Sequence, residues 1–119
     1  MAITAEIGET NFDKMIVQTA AGASSNDNVF NAAGSVFVIQ GDNSSGTDAY
    51  LKLYDSSGPT VGTTAPDVQI YCKGNVTQNV ICRGGIVFST GLSLAAVQEA
   101  GTAGNTGAAS SLQVTIIGA

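Results

Sequence analysis

The sequence predicts an all-β fold, a single β-sandwich of about eight short antiparallel strands. Three observations predict it. Short runs rich in Val, Ile, Phe and Tyr recur along the chain, the residue types that suit a pleated, half-buried surface. Several of these runs alternate apolar and polar residues with a period of two. Gly, Pro, Asn and Asp then punctuate them every ~8–12 residues, the spacing of a sandwich or barrel. No strand–helix–strand pattern and no repeat of fixed period interrupts this order.

Residues 1–13 carry Glu6, Glu9 and Asp13 around Gly8 without a clear period, and read as an extended N-terminal arm or a strand lent to a neighbour. The sandwich domain is expected over 14–119. Its first strand is Lys14–Ala20, followed by a small-polar loop over 21–28. Val29-Phe30 starts a short strand that breaks at Gly34, and Ser35–Gln40 is the next full strand. Residues 41–48, Gly-Asp-Asn-Ser-Ser-Gly-Thr-Asp, form a loop. Asp42, Asn43 and Asp48 around Gly46 invite a calcium reading, but their spacing lacks the alternate ligands and closing Glu of an EF-hand, so a solvated loop is preferred.

Ala49–Tyr54 alternates, with Tyr50, Lys52 and Tyr54 on one face and Leu51 and Leu53 on the other. Ser57-Gly58-Pro59, Gly62 and Pro66 then leave no room for a long regular element. Pro66 biases Ala65 to an extended conformation and delivers the chain into Asp67–Cys72, where Val68, Ile70 and Cys72 share a face. After a turn at Gly74-Asn75, Val76–Arg83 returns with Val80 and Cys82 on a common face, and Gly84-Gly85 breaks the run. Ile86 and Phe88 lead into Ser89-Thr90-Gly91. Residues 92–100 alternate as a strand would, yet their Ala-Ala-Val-Gln-Glu-Ala stretch is also good helix composition. Residues 101–111 are a Gly/Ala/Thr/Ser loop, and Leu112–Ile117 is a strand expected inside a sheet.

The 119 residues suit one domain. Charged residues make up 11% and the net charge is −5, with only Lys14, Lys52, Lys73 and Arg83 basic. Four scattered cations give no footprint for nucleic acid and no polybasic segment for a membrane surface. No run of ~18 apolar residues is present for a transmembrane helix, and acids stand where a signal peptide would be basic and apolar, so synthesis in a cytosol is expected. Cys72 and Cys82 sit on what reads as two arms of one hairpin, where a disulfide is geometrically conceivable. A cytosolic origin favours two free thiols instead, and both readings stay open.

With no His, the chain lacks Ser-His-Asp or Cys-His catalysis and the imidazole metal ligand. Two cysteines alone do not make a four-thiolate zinc site, and no Lys lies in a phosphate-cradling loop. The carboxylates fall mostly in expected loops or the arm, where solvation is their ordinary role. Tyr50, Tyr54 and Tyr71 allow a sugar-binding platform but at strand spacing read more simply as a half-buried sheet face. No catalytic residue, cofactor or metal site is expected, and the chain reads as a non-enzyme.

One pair of stretches says more. Lys52-Leu-Tyr-Asp55 followed by Pro59-Thr-Val-Gly-Thr63, then Phe88-Ser-Thr-Gly-Leu-Ser93, resembles a group of small phage decoration or cement proteins. The resemblance covers roughly residues 15–97. It implies a jelly-roll-like sandwich, a strand at Leu92, and a homotrimer that binds the major capsid protein on the virion surface and stabilises the shell. A host-glycan-binding tail-fibre or head-fibre knob, or a pilin-like fibre subunit, is the alternative. The resemblance rests on turn and core positions, so no partner-binding residue is implied by it.

Overall fold

The fold is that of a computed structural model, in which residues 12–109 and 112–119 are described. Among the described residues there are seven strands: β1 (Lys14–Ala21), β2 (Gly34–Asn43), β3 (Ala49–Asp55), β4 (Val68–Cys72), β5 (Val76–Phe88), β6 (Leu92–Val97) and β7 (Leu112–Gly118). They form two antiparallel sheets, one in the order β1-β7-β2-β5 and the other β4-β3-β6. The predicted all-β sandwich is therefore observed, with β6 a strand and β7 inside the larger sheet. The expected arm falls almost wholly on residues outside the described ones.

The eighth place is taken by irregular chain. Residues 22–29 run along the outer edge of β6, where Asn26 and Leu94 exchange backbone hydrogen bonds at 2.8 and 3.0 Å. Ala96 donates to the Gly22 carbonyl at 2.9 Å and Val29 to that of Leu92 at 2.8 Å. With this segment counted beside β6, the chain passes from sheet to sheet in the order of a jelly roll, four places facing four. The expected strand at Val29-Phe30 is instead a reversal. Asn28 and Asn31 take φ of 48° and 56°, a region that Asn tolerates better than most residues and that no strand contains.

Two further boundaries differ from expectation. Residues 41–43 belong to β2, because Gly41, Asp42 and Asn43 pair with Gln78, Thr77 and Val76. Gly84-Gly85 does not end β5. The register jumps from Val38 opposite Ile81 to Val36 opposite Ile86, so residues 82–85 bulge opposite Phe37 and the strand resumes. Gly85 takes φ +77°, and a β-carbon there would stand 2.9 Å from the Phe37 ring. A glycine pair marked a bulge here, not a strand end.

The core lies between the sheets. β3 and β6 supply Leu51, Leu53, Leu92, Leu94 and Ala96, facing Val36, Ile39, Leu112, Val114 and Ile116 from the larger sheet, all fully buried. β2 and β4 approach closely at Gly41, where a β-carbon would meet the Cys72 sulfur at 2.8 Å. The absence of a side chain at Gly41 is what seats that thiol.

Candidate docking face of the larger sheet

Each strand of the larger sheet carries two adjacent apolar residues: Met15-Ile16, Val38-Ile39, Val80-Ile81 and Ile116-Ile117. Successive strand residues point to opposite faces, so each doublet supplies one side chain inward and one outward. The register aligns all four. Ile16, Ile116, Ile39 and Val80 stand opposite one another and pack into or against the core. Met15, Ile117, Val38 and Ile81 form the matching row on the outer face, and Met15 and Ile81 are 65% and 73% exposed.

The next outward row is mixed, with Val17, Thr115, Gln40 and Asn79, where Gln40 Nε2 donates to Asn79 Oδ1 at 3.0 Å. Beyond it, Gln113, Asp42 and Thr77 are polar, and the Thr77 hydroxyl donates to Asp42 at 3.2 Å. The face thus grades from apolar at one end to polar at the other. At the apolar end Phe12 meets Phe37 edge to face, with centroids 5.2 Å apart and planes at 86°. A hollow of about 430 Å³ opens there, lined by Phe12, Asp13, Lys14, Met15, Val38 and Ile117.

The smaller sheet is treated differently. Its outward residue Lys52 is fully buried beneath residues 98–107, and its ammonium donates to the Gly101 and Gly104 carbonyls, the latter at 2.9 Å. Burial pushes the Lys52 pKa down, while Glu99 opposes the shift. The Thr106 hydroxyl, with the Thr106 and Asn105 N–H groups, holds the Glu99 carboxyl below its ordinary value. Gln98 closes the same loop by donating its backbone N–H to the Thr106 carbonyl and its Nε2 to the Gly107 carbonyl, both at 2.8 Å. The loop therefore acts as a fixed cover, and Lys52 is an anchor inside it.

Two of the stretches that carried the phage resemblance, Lys52–Asp55 and Phe88–Ser93, meet at Asp55, the last residue of β3. Its carboxylate accepts from the Thr90 N–H at 2.8 Å, the Gly91 N–H at 3.3 Å and the Ser89 hydroxyl at 3.3 Å. The Thr90 N–H is the main cause that lowers the Asp55 pKa. Fully buried Ser93 donates to the Ser56 carbonyl and accepts from the Asn28 N–H at 2.9 Å. These residues tie the β3 exit, the β5–β6 turn and the 22–29 segment together. Their role is architectural.

The remaining candidates separate. Tyr50 and Tyr71 pack at 5.5 Å between centroids, tilted 44°, but Tyr54 is fully buried, so the three tyrosines form no common platform. In the 41–48 region, Asp48 accepts from the Tyr71 hydroxyl at 2.8 Å and the Gly74 N–H at 2.9 Å, and Asn43 donates to the Thr47 and Cys72 carbonyls. Among the described residues no three His, Cys, Asp or Glu side chains gather as a metal site.

Cys72 and Cys82 do not face each other across a hairpin, since β4 and β5 belong to different sheets, and both are free thiols. Cys72 sits at Gly41, whereas Cys82 begins the bulge opposite Phe37. Four residues along β2 separate those points by about 13 Å, well beyond disulfide reach.

The outward row has a signal in the sequence, the four adjacent apolar doublets. Strict alternation would have left one member of each doublet polar, the pattern of a sheet with one solvated face. No family model, curated protein or solved structure matches the chain.

Proposed function

We propose that this chain is a non-catalytic structural protein of a phage virion, a cement protein that docks on the capsid through the outer face of its larger sheet. The observation that carries the reading is the Met15–Ile117–Val38–Ile81 row, an apolar strip across four strands whose ends, Met15 and Ile81, are exposed and whose middle, Ile117 and Val38, is half-buried. A soluble protein that covers one sheet with its own loop and leaves such a strip on the other has an interaction surface there. The strand order supports the jelly roll that the phage resemblance implies. The major capsid protein is the partner, and a homotrimer is the working form.

The mechanism is mechanical. A copy that binds across neighbouring capsid subunits binds only the assembled shell, so rupture must also break those contacts. With few charges near the row, the attachment is apolar and changes little with salt. The deciding experiment adds the protein to capsids that lack it, heats them, and follows genome release by dye fluorescence. A raised release temperature, reduced by Ile81→Lys on the exposed row, is expected. Protein that does not sediment with capsids, and adheres to host cells or glycans instead, would overturn the reading in favour of a fibre knob.

A further inference from the structure

We infer that the two edges of the larger sheet pair with one another between copies of this chain, β1 of one copy beside β5 of the next, so that the sheet continues from molecule to molecule. The inference concerns the edges and not the face proposed to meet the capsid, and it stands or falls separately from capsid binding.

The chain covers one sheet edge and leaves these two bare. Residues 22–29 run along the outer edge of β6. Among the described residues, β1 pairs only with β7 and β5 only with β2. Each edge therefore carries backbone N–H and C=O groups with no strand beside them, a template for another chain. Residues 14–18 and 76–81 run in unbroken register, with no Pro and with Lys14 as their one charge, so little blunts them. The exposed apolar side chains gather on the same two strands. Met15 and Val17 of β1 and Val76, Ile81 and Val87 of β5 are exposed, whereas no large apolar residue of β2, β3, β6 or β7 is.

The two edges fit each other. The strands β1, β7, β2 and β5 alternate in direction, so a second copy set alongside in the same orientation brings β5 antiparallel to β1. With the rows aligned, Met15 stands opposite Ile81 of the next copy, and Val17 opposite its Asn79. Charge matches as well. The bulge over 82–85 sets exposed Arg83 between the Ile81 and Ile86 rows, which are the rows of Met15 and Lys14. Asp13 adjoins that end of β1, its side chain 64% exposed and 3.7 Å from Lys14. The Lys14 ammonium lies over the ring of Phe30, a residue packed against the core, which leaves Asp13 to face Arg83 of the next copy.

A dimer through β1 alone, or through β5 alone, leaves the other edge bare in each copy. Pairing β1 with β5 is a head-to-tail contact, and a closed ring such as the expected trimer leaves neither edge open.

The test uses the full chain carrying Cys82→Ser; Cys72 is fully buried and stays out of the reaction. One preparation adds Val17→Cys, a second adds Asn79→Cys, and a third carries both. Within one copy these positions are three strand spacings apart, about 14 Å and beyond disulfide reach, so a link between them joins two copies. Under mild oxidation the mixed single variants should give a cross-linked pair of the two different chains, and the double variant a ladder of linked chains. Light scattering should show an oligomer for the parent chain. Arg83→Asp should raise its dissociation constant at least about fivefold at low salt, and adding Asp13→Arg should recover most of that loss. Single variants that link only with themselves would show each edge pairing with its own kind, and overturn the head-to-tail contact. So would a parent chain that is monomeric at micromolar concentration, an absence of cross-links in all preparations, or an oligomer indifferent to the charge reversal. Unlinked monomers that still raise capsid release temperature would sink the edge pairing and leave the cement role standing; linked oligomers that ignore capsids would do the reverse.

Discussion

Lys52 Nζ donates to the Gly104 carbonyl at 2.9 Å, across the outer face of the smaller sheet. With the Gly101 carbonyl it fixes residues 98–107 as a lid over β3, and without it one buried and one part-buried acceptor lose a charged donor. Lys52→Met keeps much of the aliphatic bulk and removes both bonds. It is expected to lower stability by about 2 kcal/mol, the scale of hydrogen bonds to a charged group. Urea unfolding measures the loss, and limited proteolysis should cut first within 98–109. An unchanged midpoint and cleavage pattern would refute the anchor.

Asp48, Asp55 and Glu99 are all held below the ordinary carboxylate range, led respectively by the Gly74 N–H, the Thr90 N–H and the Thr106 hydroxyl. A depressed folded pKa means that the unfolded chain binds more protons as the pH falls. Their contribution is complete above the unfolded values near 4 and is lost as pH falls through the lower folded values. Thermal midpoints should therefore be flat from neutral pH to about 5 and decline below about 4. Asp55→Asn should flatten part of that decline, and an acid limb identical to the parent's would count against the clamp on the β5–β6 turn.

Gly85→Ala adds a β-carbon at φ +77°, 2.9 Å from the Phe37 ring. Strain and displacement of Phe37 act together, for a loss of at least about 1 kcal/mol. Gly84→Ala has open space at the same atom and serves as the control. Calorimetry should separate the two, and equal midpoints would remove the bulge from the account.

The thiols give the sharpest chemical check. Cys72 is fully buried and burial pushes its pKa up, while Cys82 is half-exposed. In the native protein one equivalent of alkylating reagent should attach rapidly, at Cys82, and the second only after unfolding. Intact mass under non-reducing conditions should match two free thiols, and a mass lower by two hydrogens that reductant restores would reinstate the pairing.

Much of the fold is legible because local chemistry and tertiary context agree. Leu112–Ile117 reads as an interior strand on composition alone and is flanked by β1 and β2. The 92–97 segment also folds as a strand, its helical alternatives overridden by pairing with β3. The misreadings share a cause: short-range signals have several long-range solutions. Gly84-Gly85 suits a strand end as well as a bulge, and only Phe37, more than forty residues earlier, selects the bulge. Lys52 in an alternating strand reads as solvated, because the loop that buries it lies about fifty residues away. The outward apolar row is a register property: four doublets in four separate runs become one surface only when the pairing lines them up.

The place of β7 has a consequence for how the protein comes into being. β1 and β2 are not neighbours; each pairs with β7, whose residues follow those of β1 by about a hundred positions. While a ribosome is still making the middle of the chain, the larger sheet has a gap at its centre. Neither the core under β7 nor the outward apolar row exists until residues 112–118 have emerged. Loop closure over that span adds only modest entropy, but it leaves collapse waiting on the last strand and makes folding slow for the chain's size. The outward apolar row therefore forms only once β7 is available to join β1 to β2, and until then its four residues lie on separate, unaligned strands.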